Sequence, residues 1–442
     1  MTAGKSLRLL LIAYEFPPSP SPQSLRWGLL VRELVSLGVD VHVLTVETDD
    51  SGGAAAPPLG ITVYRTPPGG VAGLVVRVRR LLRGRDRAPA GAPPVADSGD
   101  GAVGRSAGAR VNWKGRVYHA LNQALSLVTF PDERGRWEHH GRQRLEELLE
   151  TLRPDVVVSS HEPATTLRLG AQAKAAGFHW VADLGDPVLS FYTPARWRRE
   201  SMRVERMTCR VADHVIVTTE AARQLLVGRH SVPWSRLSVL TQGYDPVVIP
   251  TQAPGVVFDA GRLELLYTGR FYRFREPRVL VDAVLACPGA RLSIATARAP
   301  DWLLPLLEEH PAQLRLLGFV PHAQAVWLQR SADVLVNIAN DDPVHVPGKI
   351  YEYLGAGRPI LHLGDNDDDV AANLVRSHRR GLAIGKTTGA VAHALAELAA
   401  IKRDDVWSER FSLDQTGVEQ YQWQAIARRL HAILGDVVAP GP

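Results

Sequence analysis

Apolar and polar positions along this chain switch repeatedly between two periods. LRLLLIAY (7–14) is continuously apolar, the mark of a strand buried on both faces. In SLRWGLLVRELVSLG (24–38), Leu25, Leu29, Leu30, Leu34 and Leu37 fall at helical spacing, and Gly38 stands where the helix would close. VDVHVLTV (39–46) predicts the next strand and completes a strand–helix–strand unit. The alternation resumes with RPDVVVSSH (153–161), a helix over 163–177, HWVADLGDP (179–187), a helix over 194–211, DHVIVTTE (213–220) and RLSVLTQGYD (236–245). After the Pro-rich PVVIPTQAPG (246–255) the sequence starts over with RLELLYTGRF (262–271), ARLSIATA (290–297), QLRLLGFV (313–320), ADVLVNIAN (332–340), RPILHLG (358–364) and RGLAIG (380–385), with helical spacing between them.

This order predicts an α/β protein with two Rossmann-like, doubly wound parallel sheets in tandem. The expected domains are 1–250 and 256–410. Residues 411–442 carry a last amphipathic helix, about 416–434, which no strand follows; it is expected to return and brace the first domain. Residues 51–111 break the pattern. SGGAAAPPLG and RAPAGAPPVADSGDGAVGRSAGAR hold too little apolar surface to offset the entropy of ordering, and 86–110 reads as a disordered insertion. Between them VAGLVVRVRRLLRGR (71–85) is basic and amphipathic. It is expected either to touch an anionic membrane or to pack as a lid on the first sheet.

Composition narrows the class. Of 442 residues, 45% are hydrophobic and 22% charged, as in an ordinary globular protein too long for one core. No apolar run approaches the roughly 18 residues that span a bilayer, and the N-terminal run lacks a small-residue cleavage site. The two cysteines, Cys209 and Cys287, exclude a disulfide framework and a Cys-based zinc site. A cytoplasmic protein is expected, peripheral at the inner face of the membrane if 71–85 is the segment that touches it. The net charge of +5 suits nucleic acid, an anionic membrane or a phosphorylated small molecule alike, and no zinc-finger or RNA-binding signature argues for nucleic acid as a partner.

In open parallel sheets ligands bind beyond the carboxyl ends of the strands, so residues there carry the candidate chemistry. EFPPSPSPQSLRW follows the first strand and leads into a helix whose N–H groups could receive an anion; a rigid Pro-rich turn is the plainer alternative. His161 follows VVVSS, as a turn residue or a catalytic one, and Asp183 and Asp186 end the next strand, with Asp186 before a proline as in many turns. In TGRFYRFRE (268–276), Gly269 allows close backbone approach, and Arg270 and Arg275 form either a guanidinium pair suited to a diphosphate or part of a solvated basic loop. GDNDDD (364–369) suits a helix N-cap better than a metal cage. No G-x-G-x-x-G stands where a nicotinamide or flavin site needs it. VPGKIYEYLGAGRPIL (346–361) places Lys349 and Glu352 either on a solvated helix face or in a pocket, with Glu352 toward nucleotide hydroxyls.

Taken in order, FPPSPSPQSLRW, SHEP (160–163), LTQGYDP (240–246), TGRFYRFRE, GFVPHAQAVWLQRSADVLVN (318–337) and KIYEYLGAGRPIL resemble the GT-B glycosyltransferases of the retaining family 4 type. The resemblance implies transfer of a sugar from a nucleotide-sugar to an acceptor hydroxyl with retention, no cofactor and no metal. His161 falls on the family's pocket histidine beside the donor sugar. Arg270 and Arg275 fall on the basic pair that binds the diphosphate, with Arg275 where Lys is usual. Gly269 and Lys349 join them on the donor side, and Glu352 falls on the second carboxylate of the E-x7-E motif, which holds the ribose. Pro18, Ser24, Arg26, Asp183 and Asp186 are assigned to the acceptor side. Two departures stand out: Val344 occupies the position of the first motif carboxylate, and a Ser/Pro/Gln run replaces the first loop's usual Gly-Gly. The acceptor expected is a glycan, a lipid-linked glycan or a small molecule. The rival readings are a sugar-nucleotide epimerase of the same fold and a module that only binds nucleotide-sugar.

Overall fold

The computed structural model describes residues 6–439 apart from 20, 48–55, 70–129, 131–132, 249, 254, 273–274, 276, 341, 343 and 367–368. The basic segment 71–85 and the expected disordered stretch 86–110 lie outside the described residues.

Two wholly parallel sheets account for the apolar runs. The first has seven strands: β1 (Arg8–Ala13), β2 (Asp40–Val46), β3 (Thr62–Thr66), β4 (Val156–Ser160), β5 (His179–Asp183), β6 (His214–Val217) and β7 (Leu237–Val239), in the order β3-β2-β1-β4-β5-β6-β7. The second has six: β8 (Leu263–Thr268), β9 (Ala290–Ala295), β10 (Leu314–Leu316), β11 (Val334–Ile338), β12 (Ile360–Leu363) and β13 (Gly381–Ile384), in the order β10-β9-β8-β11-β12-β13. Strand order reverses between β1 and β4 in one sheet and between β8 and β11 in the other. Such a reversal opens a crevice at the carboxyl ends of the two strands.

Local chemistry explains the elements that lead to these crevices. The helix Pro22–Ser36 starts where Ser21 Oγ accepts from Ser24 N at 3.1 Å, with proline in its first turn. Its inward face of Trp27, Leu30, Val31 and Leu34 packs with Leu9 and Leu11 of β1. Gly38, at φ 85°, ends it in a conformation that favours glycine. Asp369 caps the helix Val370–Ser377, accepting from Ala371 N and Ala372 N, the role expected for the end of GDNDDD.

Two elements correct the pattern read from sequence. TVYRT (62–66), inside the stretch expected to break the fold, forms β3 and pairs with β2 from His42 to Val46. Its alternation is short and its edge position asks for little burial, so flanking glycines and prolines hid it. The helix Glu138–Leu152, which the pattern reading left unassigned, buries Leu145, Leu148 and Leu149 against the first sheet.

The final helix runs over Trp423–Val438 and returns to the first sheet. Its Trp423, Ile426, Ala427, Leu430 and Leu434 complete the cluster built on β1 and the helix Pro22–Ser36. The chain therefore crosses between the sheets twice, and the crossings lie side by side. Tyr244 N donates to Tyr421 O and Trp423 N donates to Tyr244 O, each at 3.0 Å. Gly355 lets this joint close, because a Cβ there would stand 2.3 Å from the Tyr244 ring. Among the described residues no helix is long and apolar enough to cross a membrane.

Candidate functional site

Some of the residues singled out from the sequence collect at the two switch points. In the first sheet, Phe16 to Pro18 follow β1 and His161 follows β4. His161 Nδ1 donates to Leu184 O at 2.9 Å, which fixes the ring and leaves Nε2 unpaired among the described residues. Gln23, from the first turns of the helix Pro22–Ser36, donates to Ser160 Oγ and, at 2.7 Å, to His161 O. This side chain was not foreseen, although it stands within the loop motif quoted for the resemblance.

Arg26 and Asp183 meet, but inside the protein rather than on the crevice wall. Arg26 is 1% exposed and Asp183 0%. The guanidinium engages both carboxylate oxygens, at 3.2 and 3.4 Å, and donates to Leu240 O and Thr241 O. Its fourth side faces the Trp423 ring, 6.0 Å away. The pair thus joins the end of β5, the exit of β7 and the returning helix. Ser24 is also buried. Of the residues assigned to the acceptor side, Pro18 and Asp186 keep partial exposure. Tyr192 OH reaches Asp186 Oδ2 at 3.4 Å and Glu162 Oε1 at 3.5 Å.

In the second sheet Gly269 follows β8 at φ 114°, a backbone that a side chain would strain. Arg270 is exposed, and its carbonyl accepts from Tyr267 OH at 2.9 Å, shaping the turn. Arg275 is 7% exposed; Nη2 donates to Asn340 Oδ1, while Nε is buried with no partner. Lys349 Nζ donates to Thr268 O at 3.0 Å and sits 3.6 Å above the Tyr267 ring. Loss of solvent, and then the charge of Arg275, push the Lys349 pKa well below its ordinary value. Among the described residues no carboxylate pairs with either cation. Two cations gathered without a counter-charge form a place for an anion.

Glu352 stands in the first turn of the helix Lys349–Gly355, and its oxygens are engaged from the helix His322–Ser331. His322 Nε2 lies 3.0 Å from Oε1, and Gln329 Nε2 donates to Oε2 at 3.2 Å. Burial opposes both charges. Their hydrogen bond and mutual attraction, with Gln329 on the carboxylate, together outweigh it, so Glu352 falls below and His322 rises above its ordinary pKa. These residues line a cavity with Leu29, Tyr244, Asp245 and Trp423, between the two sheets. His322 and Gln329 were not singled out from sequence. Both lie in the stretch GFVPHAQAVWLQR, so the motif was visible and the pairing was not.

Val344, at the position of the first motif carboxylate, packs against the first-half cluster of Leu167, Leu184 and Val188. Among the described residues no group of three or more His, Cys, Asp or Glu is arranged to hold a metal.

The fold has solved counterparts. HepE of Anabaena, in complex with UDP, is 13% identical with a TM-score of 0.56, over 97% of this chain and 100% of that one. A glycosyltransferase from Rickettsia africae is 10% identical with a TM-score of 0.58, over 99% and 100%. UDP-GlcNAc 2-epimerase from Methanocaldococcus jannaschii is 12% identical with a TM-score of 0.53, over 98% and 100%. No curated protein matches by sequence. The family model described as Glycosyltransferase Family 4 matches residues 101–248. Its described part holds β4 to β7 of the first sheet, whereas the longest motifs behind the resemblance lie in the second. The chain has the GT-B fold, and residues 101–248 of its first half match the Glycosyltransferase Family 4 model.

Proposed function

We propose that the protein transfers a sugar from a nucleotide-sugar to an acceptor hydroxyl with retention of anomeric configuration. The observation that carries this reading is the pair Arg275 and Lys349 at the β8–β11 switch point, which among the described residues has no counter-charge, with a guanidinium N–H of Arg275 left without a partner there. A donor diphosphate supplies the missing negative charge. It lies along Gly269 with Arg270 at its outer edge, and the ribose reaches the Glu352–His322 pair. The binding of UDP by HepE, on the same fold, supports a nucleotide ligand. We assign the donor to the second half (256–410) and the acceptor to the first (1–250), entering past Pro18 and Asp186, with 411–442 bracing the first.

As the bond between the anomeric carbon and the diphosphate oxygen breaks, negative charge grows on the leaving group. Arg275, Lys349 and Arg270 stabilise that charge where it forms, in the part a metal ion would otherwise take. The acceptor oxygen forms the new bond on the same face, and its proton passes to the departing diphosphate. His161, held by Leu184 O, presents its free nitrogen to the transferred sugar.

The test is incubation with UDP-, GDP- and ADP-sugars, with and without glycan and small-molecule acceptors. Acceptor-dependent release of nucleoside diphosphate, with a product of the donor's anomeric form by NMR, supports the reading. Turnover of donor without acceptor points to an epimerase. Binding without turnover points to the module that only binds, which Val344 in place of a carboxylate favours. Binding of no nucleotide at all removes the reading.

A further inference from the structure

A relay of side chains connects the first half to the proposed diphosphate site. Val344 packs into the first-half cluster, and its carbonyl accepts from Thr219 Oγ1 at 2.9 Å. The next residue, His345, is 8% exposed and stands between the halves. Its Nδ1 donates to Asp342 Oδ2 at 2.7 Å, and Asp342 Oδ1 accepts from Val344 N at 2.8 Å. Its Nε2 lies 3.3 Å from Ser190 Oγ and 3.9 Å from Asp186 Oδ2. Ser190 Oγ also donates to Pro187 O at 2.7 Å, so the hydroxyl is fixed in place against His345 Nε2. The rings of Phe191 and Tyr192 close over the imidazole edge-on, at 5.6 and 5.4 Å.

The relay continues on the other side. His345 O accepts from Asn340 Nδ2 at 2.7 Å, and Asn340 Oδ1 accepts from Arg275 Nη2. One amide therefore holds both the backbone of His345 and an arm of the guanidinium. Where His345 docks, Asn340 is placed, and Arg275 is aimed accordingly.

We propose that His345 is a positioning residue for the donor site, which by docking on Ser190 of the first half fixes Asn340 and through it the guanidinium of Arg275. This rests on the donor-site reading above. It also gives Val344 a purpose. An ionised side chain at that position would enter an apolar cluster unpaired, whereas valine anchors the residue beside it. The position that resembles a sugar-binding carboxylate is used here to register one half of the protein on the other. Placement of this kind matters because electrostatic stabilisation of a leaving group depends on where the charge is held.

The experiment compares wild type with His345→Ala, His345→Gln and Ser190→Ala. It measures binding of uridine, guanosine and adenosine and of their diphosphates by calorimetry, then kcat and KM with the best donor. In wild type the diphosphate form binds more tightly than the nucleoside. His345→Ala is expected to weaken the diphosphate about ten-fold, the loss of one well-placed charge-assisted hydrogen bond, while nucleoside affinity stays unchanged. His345→Gln, whose amide nitrogen reaches the place of Nε2, is expected to recover most of that loss, and Ser190→Ala to lower diphosphate affinity in the same sense. If His345→Ala fails to fold, Ser190→Ala and His345→Gln carry the test. Equal weakening of nucleoside and diphosphate marks general damage and overturns the proposal, as does unchanged diphosphate affinity in variants where Arg275→Ala weakens it. Absence of any diphosphate preference in wild type removes the donor-site reading itself.

Discussion

Arg26 and Arg275 each lie beside the switch point of a parallel sheet, and each is almost wholly withdrawn from solvent. Around Arg26 the protein supplies Asp183, two carbonyls and the Trp423 ring. Around Arg275 the described residues supply one amide, the Tyr272 ring at 5.3 Å and a second cation, and among them Nε has no acceptor. A buried charge whose counter-charge is built in holds elements together. One whose counter-charge is missing is completed by a ligand.

The largest expected effect breaks the first of these. Arg26→Ala leaves Asp183 buried and unpaired, so unfolding free energy should fall by about 3–5 kcal/mol in a urea titration. A loss no larger than that of an exposed arginine would mean that the pair does not hold the first half together. Arg275→Ala should do the opposite on both counts. Stability is expected to hold or rise, since a cation crowded against Lys349 is removed, while nucleoside diphosphate affinity falls about ten- to a hundred-fold. Calorimetry and the same titration check it, and a variant that loses stability but binds normally would reverse the comparison.

The joint between the halves gives a third measure. Gly355→Ala places a methyl group against the Tyr244 ring and should destabilise the protein by about 1–3 kcal/mol, with Ser or larger residues worse. The smallest effect concerns Glu352 and His322, a pair with its own counter-charge inside the proposed donor site. His322 is raised above 6.5, so its contribution is full below that value and is lost as pH rises through the folded pKa. Glu352 is lowered below 4.5, so its contribution is full above that value and is lost as pH falls through the folded pKa. Glu352→Gln should therefore differ most from wild type between about pH 5 and 6, by about 1 kcal/mol, and least at high pH. Melting temperature against pH measures this. Separately, the donor KM should rise if the carboxylate holds the ribose.

Much of the fold was legible because each buried parallel strand is a run of apolar residues ended by a turn, as in β1, β4, β8 and β11. β3 was not, since five residues at a sheet edge carry almost no signal of their own. For the candidate site, strand ends pointed to the two crevices, and Gly269, Arg275 and Lys349 gather at the second. What strand ends do not encode is which side chains spend their charge on each other. Arg26 and Asp183 are 157 positions apart, and only packing brings them together. The partners of Glu352 stayed hidden for the same reason, as they come from a different helix. Val344 read as a missing carboxylate, because a sequence shows what a position lacks before it shows what packs there.

The returning helix has a consequence for how the protein is made. Trp423, Ile426, Leu430 and Leu434 finish a cluster begun by Leu9, Leu11 and Leu30, so the first sheet cannot be sealed until the helix Trp423–Val438 leaves the ribosome. Until then the helix Pro22–Ser36 shows an uncovered apolar stripe while the second sheet is synthesised and can already close. The half made first is the half completed last, and chaperone contact during synthesis should concentrate on that stripe.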